Sequence, residues 1–310
     1  MCRHRIAQRA SVLFLAATCI SAAVAADTSP GSQVALTAGS DGHDTVPVYV
    51  NDKGPYPFIL DSGADGSAVY QWFADQAKLP RLEGKDQDLS GQTGSSKVAM
   101  YHVDSLTLAG IPIHDVEAFG LPNRVDSGRQ AGVLGNDFMD KTVVSFDFQC
   151  RHVEVYPKPV AMATVLGPNA RAVKTGIDPG TTLLTVPITV NGFAGVAVLD
   201  TGSRRTRLTP GFAKGAGIDT SLPTFHDDEA IYGTSLTKRI PRTGPIGDVR
   251  IANAVFADAS AQVVDLPVLT QDFGDKPAMI LGADLMGRYR FVYDHAAQTV
   301  WFEPSRCPAG

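Results

Sequence analysis

Phe58-Ile59-Leu60-Asp61-Ser62-Gly63-Ala64-Asp65 and Ala197-Val198-Leu199-Asp200-Thr201-Gly202-Ser203-Arg204 are the two stretches on which the reading of this chain turns. Each is an apolar run that stops at an aspartate, followed by a hydroxyl residue, a glycine and a small residue, and the two aspartates stand 139 positions apart. A short apolar run closed by turn residues reads as a buried strand entering a sharp turn. Asp-x-Gly alone says little. Asp52-Lys53-Gly54, Asp126-Ser127-Gly128, Asp178-Pro179-Gly180 and Asp272-Phe273-Gly274 carry the same pattern and read as ordinary turns. What separates Asp61 and Asp200 is that everything around them recurs.

Upstream, Thr45-Val46-Pro47-Val48-Tyr49-Val50-Asn51 matches Thr185-Val186-Pro187-Ile188-Thr189-Val190-Asn191 at five of seven positions. Downstream, Val133-Leu134-Gly135-Asn136-Asp137-Phe138-Met139 matches Ile280-Leu281-Gly282-Ala283-Asp284-Leu285-Met286, and the alignment runs on without a gap to Pro157 and Pro304. The chain is a duplicated unit. Each copy, of roughly 125 to 130 residues, has the size of an ordinary lobe. Runs rich in Val, Ile, Thr and aromatic residues, such as Lys97 to Val103, Val143 to Phe148 and Val153 to Tyr156, alternate with Gly, Pro, Asn and Asp turns, so the copies are expected to be mostly β. Helices are expected at Gln71 to Lys78 and Pro210 to Ala216, at matching places after the two aspartates. The expected organisation is a signal segment over 1–26, a first lobe over 27–157, a Pro- and Gly-containing linker over 158–180, and a second lobe over 181–310.

With 310 residues, 44% hydrophobic and 19% charged side chains and a net charge of −5, the chain reads as globular and soluble, which excludes disorder, collagen and coiled coil. Arg3, Arg5 and Arg9 precede the apolar run Ala10 to Ile20 and the small residues Ser21 to Ala26, the pattern of a cleaved secretory signal. Export to the periplasm or the extracellular space is expected, with no membrane span after cleavage. Beyond that segment 24 basic residues face 32 acidic ones, which argues against a nucleic-acid partner. Cys150 and Cys307 remain after signal removal, and are either bonded to each other or two free buried thiols.

Two carboxylates brought about 3 Å apart cannot both ionise easily, so they share one proton and titrate as a coupled pair. The ionised member then serves as general base on a water, while the protonated member hydrogen-bonds the carbonyl under attack. No G-x-S-x-G, H-E-x-x-H, G-x-G-x-x-G or phosphate-binding loop competes with this chemistry, and the seven histidines are scattered, so no metal site is expected. A glycosidase also uses two carboxylates, but has no need for them to be related by a repeat.

Asp61-Ser62-Gly63-Ala64-Asp65 resembles the motif of the retropepsins, and Asp200-Thr201-Gly202-Ser203 resembles that of the pepsin-like enzymes; both groups are aspartic peptidases. Val133-Leu134-Gly135 and Ile280-Leu281-Gly282 are similar to the strands that support the active-site loops there. The resemblance, over about Thr45 to Pro304, implies a mostly β, two-lobed acid-protease fold with a cleft between duplicated lobes. It implies an exported endopeptidase, monomeric, with two pseudo-symmetric lobes, acting on a peptide or protein substrate without metal or cofactor. Asp61 and Asp200 would form the catalytic dyad, and Ser62, Gly63, Thr201 and Gly202 would steady the loops. Hairpin flaps are sought at Gly91 to Ser95, with Thr93 and Gly94, and at Tyr232 to Ser235, with Gly233 and Thr234; exposed turns without a substrate role are the alternative. Asp65 would hold substrate backbone amides or stabilise its own turn. Arg204 stands at the position equivalent to Asp65, so unlike walls are expected on the two sides of the cleft. Arg204, Arg205 and Arg207 read either as contacts for an acidic substrate residue or as surface arginines. The rival from another class is a catalytically silent peptide-binding or envelope-interaction protein on the same fold.

Overall fold

In a computed structural model the chain is described over residues 31–125, 128–235 and 237–308. The signal expected over 1–26 and Asp126 of the Asp126-Ser127-Gly128 turn lie outside these residues.

Alternation builds the strands. In Asp44–Val50 the side chains of Val46, Val48 and Val50 are buried while Pro47 and Tyr49 face out, and in Leu184–Val190 the buried set is Val186, Ile188 and Val190. Each strand is followed by an asparagine with positive φ, 48° at Asn51 and 50° at Asn191, which opens the tight turn to the next strand. The same asparagines hold the far side of each lobe: Asn51 Oδ1 accepts from Ser105 N–H at 3.0 Å and Asn191 Oδ1 from Asp248 N–H at 3.1 Å. There the sheets close, with Tyr49 opposite Thr107 in the first lobe and Thr189 opposite Arg250 in the second. The molecule is thus mostly β, two closed barrels as duplicated lobes.

In each lobe the strand leading to the aspartate lies parallel to a strand from the end of the repeat. Lys53–Leu60 runs beside Gly132–Leu134, and Phe193–Leu199 beside Ala278–Leu281. The helices follow the expectation closely. Gln71–Ala77 ends at Lys78 in the left-handed conformation, and Pro210–Gly215 begins at Thr209, whose hydroxyl accepts from Phe212 N–H at 3.3 Å. The strand expected over Lys97 to Val103 is broken at Ala99, where Gly94–Val98 leaves the barrel to pair with Gln87–Gly91 as a separate hairpin, and Met100–Leu108 stays in it. Alternation marks extended chain but not the point where the pairing partner changes.

A third sheet joins the lobes. Thr142–Asp147 of the first copy pairs antiparallel with Arg290–Asp294 of the second, Val144 opposite Tyr293 and Phe146 opposite Phe291, within a six-stranded sheet. The segment 158–180 adds to it: Val173–Lys174 lies on the Thr299–Glu303 edge, and the short helix Met162–Val165 buries Val165. Cys150 and Cys307 are joined in a disulfide with Cα atoms 5.2 Å apart, so the open choice between bonded and free thiols resolves to a bond tying the chain's end to the first copy.

Because that bond closes a loop of 157 residues, chain entropy alone assigns it about 5 kcal/mol, and its removal should destabilise the fold by several kcal/mol. The Cys150→Ser/Cys307→Ser variant should melt well below the oxidised parent and, unlike it, show no further drop when dithiothreitol is added; calorimetry with and without reductant checks this.

Candidate active site

The two aspartate loops meet on the axis between the lobes, and each hydroxyl residue reaches across to the other copy. Thr201 Oγ1 donates to the carbonyl of Leu60 at 2.8 Å and accepts from Ser62 N–H at 2.9 Å. Ser62 Oγ donates to the carbonyl of Leu199 at 2.8 Å and accepts from Thr201 N–H at 3.0 Å. Four buried hydrogen bonds therefore lock the two loops in register. The glycines allow the approach: a Cβ on Gly63 would collide with the Asp200 carboxyl, and one on Gly202 with that of Asp61.

The paired strands behind the loops set their height. Asp61 N–H donates to Leu134 O at 3.0 Å and Asp200 N–H to Leu281 O at 3.1 Å. Gly135 and Gly282 pass so close to the loop backbones at Gly66 and Arg205 that no side chain fits. A further repeated pair went unread in the sequence. Ser67 Oγ donates to Asp137 at 2.8 Å and Thr206 Oγ1 to Asp284 at 2.7 Å, both hydroxyls lying six residues after their aspartate. The repeat itself held that signal. Asn136, which has no counterpart at Ala283, donates to Ser62 O at 3.2 Å and accepts from Tyr293 at 3.0 Å.

Asp61 Oδ1 accepts from the N–H groups of Gly63, at 2.7 Å, and Gly202, at 3.2 Å. Asp200 Oδ1 accepts from Ser203 N–H at 2.6 Å. Burial and the neighbouring Asp200 charge push the Asp61 carboxyl well above the usual carboxylate range. Burial also raises Asp200, but the Ser203 N–H, the Arg207 guanidinium and hydrogen bonds from Asp61 and Gln92 work against it. Both carboxyls thus bind a proton more tightly than a free carboxyl does, Asp61 by the larger margin, and the two titrate together.

The hairpin of Gln87–Gly91 and Gly94–Val98 folds over this pair, and its tip carries a residue that the sequence did not single out. Gln92 Nε2 donates to Asp200 Oδ2 at 3.0 Å, while its Oε1 accepts from Arg207 at 2.6 Å. Arg207 is not a surface arginine. It is 8% exposed, donates also to Gln262 and Ser203, and is lowered by burial to about 10. Gln262 in turn donates to Asp228 at 2.9 Å, so two glutamines link this one cation to two carboxylates. Gln92 lies within the flap segment sought at Gly91 to Ser95 and Arg207 among the three arginines considered for the cleft, but neither has a matching residue in the other copy to mark it as a partner of Asp200.

Thr93 and Gly94 sit at the tip of this hairpin and face Gly233 and Thr234 across the cleft. Gly233 N–H donates to Thr93 Oγ1 at 2.8 Å, Thr234 Oγ1 to Gly94 O at 3.1 Å, and Ser96 Oγ to Thr234 O at 2.8 Å. Among the described residues the second segment shows no paired strands. It is a loop closed by the antiparallel bridge of Ile231 to Arg239, and it meets the first-lobe hairpin. Asp65 is taken by its own chain, its Oδ1 accepting from Thr182 N–H at 2.6 Å and Thr182 Oγ1 at 2.7 Å. Arg204 is exposed on the cleft wall. Beneath the hairpin the cleft measures about 620 Å³ and is lined by both aspartates, Gln92 and Arg207.

The family model described as aspartyl protease matches residues 46–138 and 186–285, one match on each copy. The chain belongs to the aspartyl protease family. No curated protein matches it. Within this aspartyl protease the matched stretches contain both aspartate loops, both supporting glycines and the hairpin tip.

Removing either crossing hydroxyl strands a buried carbonyl and a buried N–H. Ser62→Ala and Thr201→Val should each cost about 2–4 kcal/mol, read as a lowered midpoint in urea at pH 5.

Proposed function

We propose that this aspartyl protease hydrolyses peptide bonds with a water activated between Asp61 and Asp200. The observation that carries the reading is the pair of adjoining carboxyls, one from each copy, whose proton affinities are both raised by burial; a pair of this kind would share a single proton. Asp200, kept the more acidic by Ser203 N–H and Arg207, takes a proton from the water as its oxygen adds to the scissile carbonyl carbon. Asp61 donates its proton to the carbonyl oxygen, giving a neutral tetrahedral diol. Collapse of the diol re-forms the carbonyl, breaks the C–N bond and delivers the proton from Asp200 to the leaving amine, and Asp61 regains its own. The chemistry draws on water and these side chains alone.

Gln92 holds the Asp200 oxygen that the water needs, so the hairpin must lift or slide as a peptide enters, and its amide is then free to bond the peptide backbone. Ser62, Gly63, Thr201 and Gly202 keep the carboxyls in place; Thr93, Gly94, Gly233 and Thr234 form the roof of the cleft. One chain supplies both aspartates, which supports a monomer as the working unit. Export to the periplasm or beyond is proposed from the signal pattern of residues 1–26, and a disulfide suits an oxidising compartment.

Purified mature chain should cleave an unbiased peptide library, and Asp61→Asn and Asp200→Asn should each lose about a thousandfold or more in kcat/KM. A statin-type mimic of the tetrahedral diol should inhibit the parent. A folded parent without cleavage between about pH 3 and 8 overturns the reading, and leaves peptide binding without turnover.

The pH profile should be a bell. Below the Asp200 value both carboxyls are protonated and no base remains; above the raised Asp61 value both are ionised and no donor remains. Arg207→Gln removes a charge that stabilises ionised Asp200, so the acid limb should move to higher pH, and Arg207→Lys should restore part of the shift.

A further inference from the structure

One support of the active-site loops is not duplicated. Asn136, the first residue of the helix Asn136–Met139, donates from Nδ2 to the carbonyl oxygen of Ser62 at 3.2 Å, and its Oδ1 accepts from the hydroxyl of Tyr293 at 3.0 Å. Tyr293 comes from the other copy, on the strand Arg290–Asp294. A carbonyl oxygen can only accept, so Asn136 must turn its NH2 toward Ser62 and its oxygen toward Tyr293, which must then donate. The direction of the chain is fixed.

The Ser62 carbonyl and the Gly63 N–H are the two ends of one peptide group, and that N–H donates to Asp61 Oδ1 at 2.7 Å. Three hydrogen bonds therefore run one way, from a phenol to the carboxyl. Ser62, Asn136 and Tyr293 are no more than 1% exposed, and in such surroundings hydrogen bonds in a chain polarise one another. A donor on the carbonyl of a peptide makes its N–H the stronger donor, which favours the ionised form of the carboxyl that accepts from it. Burial and the Asp61 charge push the Tyr293 phenol well above the ordinary phenol range, so it keeps the proton it donates.

The repeat shows that folding does not require this chain of bonds. Ala283 stands in the place of Asn136 and Phe146 in that of Tyr293, so the second copy builds its loop without the amide or the hydroxyl. Burying both in the first copy carries a cost that packing alone does not call for. The other charged groups around the relay are engaged elsewhere. Asp200 feels the Arg207 guanidinium, Asp65 accepts from Thr182, Asp140 holds His295, whose ring stacks on Tyr293 at 5.9 Å, and Asp294 pairs with Lys158.

We propose that Asn136 and Tyr293 are positioning residues that act on Asp61 through the Ser62–Gly63 peptide and make it the better proton donor to the scissile carbonyl. The relay rests on the peptidase reading given above. An acid that holds its proton too tightly gives it up slowly to the carbonyl oxygen, and the relay offsets part of the rise that burial and Asp200 impose on Asp61.

Asn136→Ala and Tyr293→Phe give the first copy the residues that the second already carries at Ala283 and Phe146. With a peptide that the parent cleaves, each variant should lose about threefold or more in kcat while the basic limb of kcat/KM moves up by about half a pH unit. The acid limb, set by Asp200 with Asp61 already protonated, should stay. A rate lowered equally at every pH with the basic limb unmoved, or a limb that moves down, marks a structural support only and overturns the relay. A second arm needs no turnover: the Asp61 carboxyl, followed by carbon-13 NMR, should titrate at higher pH in both variants than in the parent. If Asn136→Ala does not fold, Tyr293→Phe, which removes a single oxygen, decides alone. An unchanged Asp61 titration in a folded variant overturns the relay even where the parent cleaves peptides. The upward shift in a protein that cleaves nothing defeats the peptidase reading and keeps the hold of Asn136 and Tyr293 on Asp61.

Discussion

The exchange of hydrogen bonds between Ser62 and Thr201 is the constraint on which the rest depends. Each hydroxyl accepts from the other loop's backbone N–H and donates to the carbonyl just before the other aspartate. All four bonds are buried, so an unmade one would leave an orphan rather than a solvated atom. The lobes are thereby indexed to each other at the level of single atoms, and the carboxyls, which repel when both charged, are held where neither can move away. The raised proton affinity of Asp61 follows first from its burial and then from that enforced closeness.

Around this centre the two copies diverge wherever substrate would pass. The backbone supports are duplicated: strand, aspartate, glycine, and a hydroxyl caught by Asp137 or Asp284. The walls are not. One copy contributes a hairpin whose tip glutamine touches Asp200, the other a loop that meets it; one contributes Asp65 and the other Arg204. Symmetry is kept where the carboxyls must be equivalent in position, and lost where they must differ in proton affinity.

This division also decides how much could be read from residues alone. The lobes, the aspartates and the crossing hydroxyls are legible because repetition marks them and each has a local pattern. The flap segment holding Gln92 and the arginines around Arg207 can be placed near a cleft, but the bonds of Gln92 to Asp200 and Arg207 cannot, since a polar residue in a turn and an arginine in a short strand carry no sign of their partners. Asp178 does stand at a turn, whereas Asp272, read as a turn, lies in the last turn of the helix Pro267–Phe273; the interaction of their carboxyls, 94 positions apart, is one that no local pattern encodes. The pairing of Thr142–Asp147 with Arg290–Asp294 escapes for the same reason, as alternation gives a strand its faces but not its neighbour.

That central pairing has a historical meaning. The two strands occupy matching places in the repeat and run antiparallel, so each copy presents the same edge to the other. An isologous contact of this kind is what a twofold homodimer uses. A single ancestral copy could have associated with itself through this edge and completed the carboxyl pair from two identical chains. Within one chain each half is free to change separately, and the unlike walls of the cleft are differences that a symmetric dimer, bound to mutate both sides at once, has no means to acquire.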